Sequence, residues 1–320
     1  MKTALIFPGQ GSQYVKMGHD FYSKYDVSRD IYERLNESIG RNLSKLIFSG
    51  EEEELLQTQN SQPAIMATSI CIFEALKYEN LLDIKSYGCV AGHSLGEYSS
   101  LVVNQGLRFE DSVKLLKFRS KAMQESMPLG TGGMIALIGC AEEDVENVML
   151  NAEKYGKIFI ANDNSKGQIV LSGEISAVDY ISSNAKELGV KRAIKLPVSA
   201  PFHCELINKA SIAMKEEMPN YSFNPFTVPL YSNVTSKVCN EKEIANLLVE
   251  QIISKVRWRE IVENMIKDGV QNFIEIGPGN VLTNLVKRAS KDLIAISISK
   301  IEDFDKLENE ARKIRKAIAI

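Results

Sequence analysis

The sequence predicts an α/β protein: a parallel sheet covered by helices on both faces, interrupted by a smaller inserted unit. Three observations carry this. Apolar runs of strand length alternate with helix-spaced segments along most of the 320 residues, as in strand–helix–strand units. Between Pro128 and Pro197 the rhythm changes to strand–helix–strand–strand–helix–strand. With 44% hydrophobic and 25% charged residues, the chain has the composition of a globular protein with a real core.

Residues 3–7 (TALIF) form a buried strand that runs into PGQGSQ, a loop of turn formers. Ala64, Ile65, Thr68, Cys71 and Phe73 fall near helical spacing, which predicts a long, largely buried helix over 61–79. YGCVAGHS then supplies an apolar strand, and LGEYSSLVVNQG a helix closed by Gly106. A further helix spans 110–126, with Val113, Leu116, Lys117 and Ser120 about one turn apart. In the inserted stretch, MIALIGC is a strand, 142–155 a helix, IFIAND and QIVLSG two strands joined at Asn164–Gly167, 174–188 a helix and VKRAIKL a strand. That order is ferredoxin-like and can close as its own unit, so residues 128–197 read as a small subdomain set into a larger one made of 1–127 and 198–320. The larger unit resumes with a helix at 203–217, a strand at VPLYSN and helices at 241–254 and 258–267. A strand at NFIEIG, a helix after Pro278–Gly279 and a strand at LIAISIS follow, and the charged tail 302–318 reads as a solvated terminal helix.

Thirty-eight basic against 41 acidic residues give a net charge of −3, too balanced to indicate nucleic acid or an anionic membrane as partner. Five cysteines lie far apart with no Cys-x-x-Cys pair, which points to reduced thiols and a cytoplasmic protein. The apolar run Ala4–Phe7 is too short for a signal peptide, and no stretch approaches the ~20 apolar residues of a membrane span. No His/Cys/Asp cluster has metal-ligand spacing. Gly9-Gln10-Gly11 lacks the third glycine of a dinucleotide loop, since position 14 is Tyr14; a main-chain amide donor is the better use of that turn.

The chemistry concentrates at Gly92-His93-Ser94-Leu95-Gly96. A strand leads in and a helix leads out, so this Gly-x-Ser-x-Gly run reads as a nucleophile elbow, with Ser94 thrust into a cleft at the strand's carboxyl end. The bland alternative is a glycine-rich turn whose serine caps the helix. A serine nucleophile needs a base. Of the three histidines, His93 precedes Ser94 on the strand and alternation turns it away, while His19 lies in a polar stretch, MGHD. Elimination selects His203, in the loop PVSAPFHC. No carboxylate stands out as its orienter: Glu205 is two residues away and poorly placed, which leaves a backbone carbonyl.

FPGQGSQ near the N-terminus, GHSLGE around Ser94, RSKAMQ containing Arg119, ANDNSKGQIVLSG, APFHC around His203 and IEIGPGNVL together resemble the malonyl-CoA:acyl-carrier-protein transacylase family of fatty-acid and polyketide synthesis. The resemblance runs from about residue 3 to about residue 290 in the family's order. It implies an α/β-hydrolase-like large subdomain with a ferredoxin-like small one. Ser94 would carry the acyl group and His203 act as its base. Gln10 and Leu95 would offer backbone N–H groups to the oxyanion. Arg119 would clamp the malonyl carboxylate, Gln251 would orient His203 through its main-chain carbonyl, and Asn162 would line the cleft. Guanidinium suits a carboxylate because it offers two parallel hydrogen bonds. Phe202 and Leu95 resemble the pattern of malonyl-selective members; a bulky aromatic there would disfavour methylmalonyl by about 1–3 kcal/mol.

The implied reaction is malonyl transfer from malonyl-CoA to the phosphopantetheine thiol of acyl carrier protein, with no metal or redox cofactor. A serine hydrolase shares the elbow, and a stand-alone acyltransferase of a polyketide synthase shares the whole site. A noncatalytic scaffold is disfavoured by Ser94, His203 and Arg119 all being present.

Overall fold

A computed structural model describes residues 2–140, 142–198, 200–307 and 309. The first strand, β1 (Lys2–Phe7), is central to the larger sheet and buried on both faces. Its side chains alternate as a strand's must: Ala4 and Ile6 pack in one hydrophobic cluster, Leu5 and Phe7 in another. Residues 8–57 hold four helices, α1 (His19–Lys24), α2 (Asp26–Ile39), α3 (Leu43–Ser49) and α4 (Glu52–Leu56), of which only α2 is longer than two turns. The long buried helix follows as α5 (Thr58–Tyr78), with Pro63 in its second turn, then β2 (Cys89–Gly92), α6 (Gly96–Val103) and α7 (Phe109–Glu125).

The closing residue of α6 is Gln105 rather than Gly106. Gln105 takes the left-handed conformation (φ 62°), and the Gly106 N–H donates back to the Leu101 carbonyl at 2.8 Å. Gly106 is needed for space instead: a Cβ there would meet the Phe226 ring at 2.6 Å.

The small unit contains β3 (Gly132–Ile138), α8 (Glu142–Ala152), β4 (Ile158–Ser165), β5 (Gln168–Glu174), α9 (Ile175–Asn184) and β6 (Arg192–Lys195). Its sheet is antiparallel in the order β4-β5-β3-β6, the ferredoxin-like arrangement, over its own core of Ile135, Leu137, Val148, Leu171 and Ile181. The chain then continues through α10 (Asn208–Glu217), β7 (Leu230–Tyr231), β8 (Val238–Cys239), α11 (Ile244–Gln251), α12 (Trp258–Lys267), β9 (Val270–Ile276), α13 (Val281–Ala289) and β10 (Ile294–Ile298).

Two expectations need correction here. The helix foreseen at 203–217 begins only at Asn208, after a 3-10 turn at Glu205–Ile207, because His203 has φ 60°, which a right-handed helix excludes. The strand foreseen at VPLYSN shrinks to two residues, and a short antiparallel return, β8, pairs with it. The terminal helix foreseen over 302–318 lies largely outside the described residues. The larger sheet runs β10-β9-β1-β2-β7-β8, parallel except for that last pair. Trp258, Ile261, Met265, Leu282 and Val286 from α12 and α13 cover one face, and α5, α6 and α7 lie on the other. The architecture is α/β-hydrolase-like with a ferredoxin-like second sheet.

Candidate active site

The site lies at the carboxyl ends of β1, β2 and β7. Parallel pairing sets Phe7 opposite Gly92 and Val90 opposite Leu230, so the loops leaving all three strands converge. Ser94 sits at the turn between β2 and α6 with φ 53°, a strained value for a residue with a side chain. The turn closes only because its flanking positions lack side chains. A Cβ on Gly92 would lie 1.9 Å from the Gly96 carbonyl carbon, and one on Gly96 would lie 2.2 Å from the Phe7 oxygen. The positive end of α6 stands directly behind Ser94.

His203, from the loop before α10, places Nε2 2.8 Å from Ser94 Oγ, and its Nδ1 lies 2.8 Å from the Gln251 carbonyl at the end of α11. A carbonyl can only accept, so the proton belongs on Nδ1 and Nε2 keeps the lone pair that faces the serine hydroxyl. Burial, with the Arg119 charge next in weight, pushes His203 down to about 3 against the weaker opposing pull of that carbonyl; the ring is neutral at pH 7. Glu205 is exposed, and the other histidines are occupied elsewhere. His93 Nε2 lies 2.8 Å from Asn164 Oδ1, and exposed His19 packs against the Phe48 ring.

Arg119 reaches the same serine from α7. Its guanidinium is fully buried, with Nη2 donating to Ser94 Oγ at 3.1 Å and to Gln251 Oε1 at 2.9 Å, and Nη1 to Gln62 Oε1 at 2.7 Å. Those partners are all neutral, and Nε has none among the described residues. The cation also lies 5.7 Å from the centre of the Tyr98 ring. Burial lowers its proton affinity, but an arginine stays charged.

Gln10, Asn162 and Phe202 line a cavity of about 130 Å³ together with Ser94 and His203. Gln10 anchors its side chain on Thr58 Oγ1 at 3.3 Å, and its backbone N–H and that of Leu95 donate to no group among the described residues. The Leu95 side chain is buried in the core, away from the cavity lining. All eight residues singled out in the sequence therefore lie in this site or directly against it.

The acyl transferase domain family matches residues 4–313. This chain belongs to that family. It is 40% identical over 306 residues to the malonyl CoA-acyl carrier protein transacylase of Bacillus subtilis (strain 168), covering 95% of each chain. It is also 40% identical over 308 residues to the protein of that name from Haemophilus influenzae, covering 96% and 98%. Among solved structures, the acyl-carrier-protein-S-malonyltransferase of Bartonella henselae superposes with a TM-score of 0.92 at 39% identity, covering 96% and 98%. A malonyl-transacylase in complex with a type II PKS acyl-carrier protein superposes at 0.92 with 35% identity, covering 97% and 100%.

Two residues of this acyl transferase's site escape a sequence reading. Asn233, just past β7, pins the elbow from both sides: its Oδ1 accepts the Ser94 N–H at 2.7 Å and its Nδ2 donates to the Gly92 carbonyl at 2.7 Å. Nothing local marks it, because its role depends on β7 pairing with β2. Glu97, in the first turn of α6, is 1% exposed. A charged residue inside the apolar run Leu95–Val103 is a legible signal of an internal partner.

Proposed function

We propose that this acyl transferase carries malonyl from malonyl-CoA to the phosphopantetheine thiol of an acyl carrier protein through a malonyl-Ser94 intermediate, supplying fatty-acid synthesis. The single observation that carries this reading is the convergence on Ser94 Oγ of a neutral imidazole at 2.8 Å and a buried guanidinium at 3.1 Å.

In the first half-reaction His203 Nε2 takes the hydroxyl proton as Ser94 Oγ attacks the thioester carbonyl. The Gln251 carbonyl, already bonded to Nδ1–H, stabilises the imidazolium that forms, as a carboxylate does in other serine enzymes. The oxyanion is received by the Gln10 and Leu95 amides, and His203 returns the proton to the departing coenzyme A thiolate. The second half runs in reverse: the carrier thiol gives its proton to His203, attacks the ester and regenerates Ser94 Oγ–H. Acyl exchange between thiol and hydroxyl leaves oxidation state unchanged, so these steps need no redox cofactor.

Arg119 supplies the selectivity. Its charge is one cause of His203's low proton affinity. A malonyl carboxylate paired with Arg119 offsets that charge, making His203 a better base when the correct acyl group is bound. Phe202 and Asn162 line the cavity that would receive the acyl group.

We place the protein in the cytoplasm. All five cysteines are buried thiols, which fits a reducing compartment. No helix among the described residues is long and apolar enough to cross a membrane.

The test is malonyl-CoA turnover with and without phosphopantetheinylated carrier protein. The expected result is stoichiometric malonyl carrier protein and little free malonate. Equal release of malonate in both reactions identifies a hydrolase instead.

A further inference from the structure

Glu97 is a carboxylate shut inside the protein, yet its oxygens accept hydrogen bonds from amides and not from a cation. Oε2 accepts from Gln251 Nε2 at 2.5 Å, and Oε1 from the Asn233 backbone N–H at 3.4 Å. Gln251 uses its side-chain amide in both directions, since its Oε1 accepts from Arg119 Nη2 at 2.9 Å. A primary amide has one accepting end and one donating end, so the two contacts are coupled. An ionised carboxylate can only accept. Together with the Ser94 carbonyl, which Gln251 Nε2 also reaches at 3.1 Å, it turns the Gln251 NH2 inward and the amide oxygen toward the guanidinium. The reverse orientation would set NH2 against Arg119, donor against donor.

We infer that Glu97 is a positioning residue for acyl selectivity: by fixing which way the Gln251 amide faces, it holds the Arg119 guanidinium beside Ser94 Oγ. The inference rests on the malonyl reading above. Its electrostatics are consistent. Glu97 lies in the first turn of α6, where the helix dipole favours an anion, and its charge offsets that of Arg119 across one amide. A directly bonded carboxylate would occupy the fork that an incoming malonyl group needs. With the acid one amide away, Arg119 Nε remains without a partner among the described residues.

The arrangement also makes a prediction for the unaltered protein. Burial pushes Glu97 up to about 8, against the Gln251 side chain, the Asn233 amide and the Arg119 charge, which favour the anion. The other titratable groups around it are Arg119 from α7, Tyr98 on its own helix, Cys239 from β8 and, beyond Arg119, His203. Burial raises Tyr98 and Cys239 well above their ordinary values and drives His203 down to about 3. Glu97 is therefore the member of this group that titrates near pH 8, and the ionised form that positions Gln251 prevails only above that. Once protonated, it can donate as well as accept, and the longer bond to the Ser94 carbonyl is left to hold the amide's direction.

The experiment measures kcat/KM for malonyl-CoA and acetyl-CoA, with carrier protein as acceptor, in wild type, Glu97→Gln, Arg119→Ala and the double variant. Glu97 uses a different oxygen for each donor, so a glutamine in the same pose turns an NH2 toward either Gln251 or the Asn233 N–H. Assayed at about pH 9, where wild-type Glu97 is ionised, Glu97→Gln should therefore lower malonyl transfer roughly 10- to 100-fold, mainly through KM, the scale of a displaced positioning group, and acetyl transfer less than about 3-fold. In the Arg119→Ala background it should not change the malonyl-to-acetyl ratio further. Wild type assayed from about pH 9 down to about pH 6.5 should lose part of its malonyl preference, a trend absent from Glu97→Gln. Equal losses on both thioesters, or an unchanged ratio in the variant, overturn the inference while leaving malonyl transfer intact. If the variant does not fold, a wild-type ratio constant across that pH range overturns it. Wild type that loads acetyl but not malonyl overturns the malonyl reading and this inference together.

Discussion

At the scale of single residues, two side chains at Ser94 Oγ divide the work, and substitution separates them. On the proposed reading, Arg119 serves only an acyl group that carries a free carboxylate. Arg119→Ala should cost malonyl-CoA several kcal/mol in kcat/KM, about the loss of a buried charge-assisted pair, and cost acetyl-CoA far less. Arg119→Lys should recover only part, lacking the fork. Equal losses for both thioesters would make Arg119 a structural residue. His203 serves every acyl group. His203→Ala should lower transfer by roughly 10²–10⁴, whereas His19→Ala stays near wild type because His19 is exposed and remote. Comparable losses in both would contradict the assignment. The two central residues were legible for different reasons: Ser94 from its strand–turn–helix context, His203 by elimination among three histidines. Arg119 was legible only through resemblance, since on pattern alone it sits on a helix beside Lys114, Lys117 and Lys121. Its spacing from Leu116 and Met123 places it on the buried stripe, but nothing local says what it would pair with.

At the scale of elements, the elbow depends on two strands agreeing. β7 is only Leu230–Tyr231, but its pairing with β2 delivers Asn233 to the backbone on either side of Ser94. Asn233→Ala would leave the Ser94 N–H and the Gly92 carbonyl without this partner, each costing about 1–3 kcal/mol if left unpaired. Because the elbow presents Ser94 whatever the acyl group, kcat/KM for malonyl-CoA and acetyl-CoA should fall by the same factor. A selective loss of malonyl would instead place Asn233 with Arg119. The elements that were hardest to read are those with the fewest local signals. β7 is two residues beside Pro229, which has no N–H to give, and the loop before α10 turns on a positive φ at His203 that its residue type does not announce. The long periodic segments, α5 and α7, and the apolar strands β1, β2, β9 and β10 were legible because burial on one or both faces writes itself into spacing.

At the scale of the molecule, the buried site taxes stability, and the sign can be worked out. His203 is held near 3 in the folded protein against an ordinary 6.5, so the unfolded chain binds the extra proton first. Its contribution is fully present above pH 6.5 and lost as pH falls toward 3. Glu97, raised to about 8 from 4.5, acts in the opposite direction, favouring the fold as pH falls through that interval. His203→Gln removes the first effect and keeps the second. Compared by urea midpoints, the variant should gain on wild type between about pH 7 and pH 5; a constant difference would mean His203 is not held neutral. The fold itself was legible as alternating strands and helices with a ferredoxin-like rhythm between them. Three of the four helices over 19–56 were not, because α1, α3 and α4 are short and lean on packing against α5; α2, with Ile31, Leu35 and Ile39 at helical spacing, does carry a signal. The most direct test of the whole account is intact mass after mixing the protein with malonyl-CoA alone, followed by peptide mapping. The account predicts a gain of one malonyl group, located on Ser94, absent from Ser94→Ala and discharged on adding phosphopantetheinylated carrier protein. A label on another residue, or one that persists in Ser94→Ala, would contradict it.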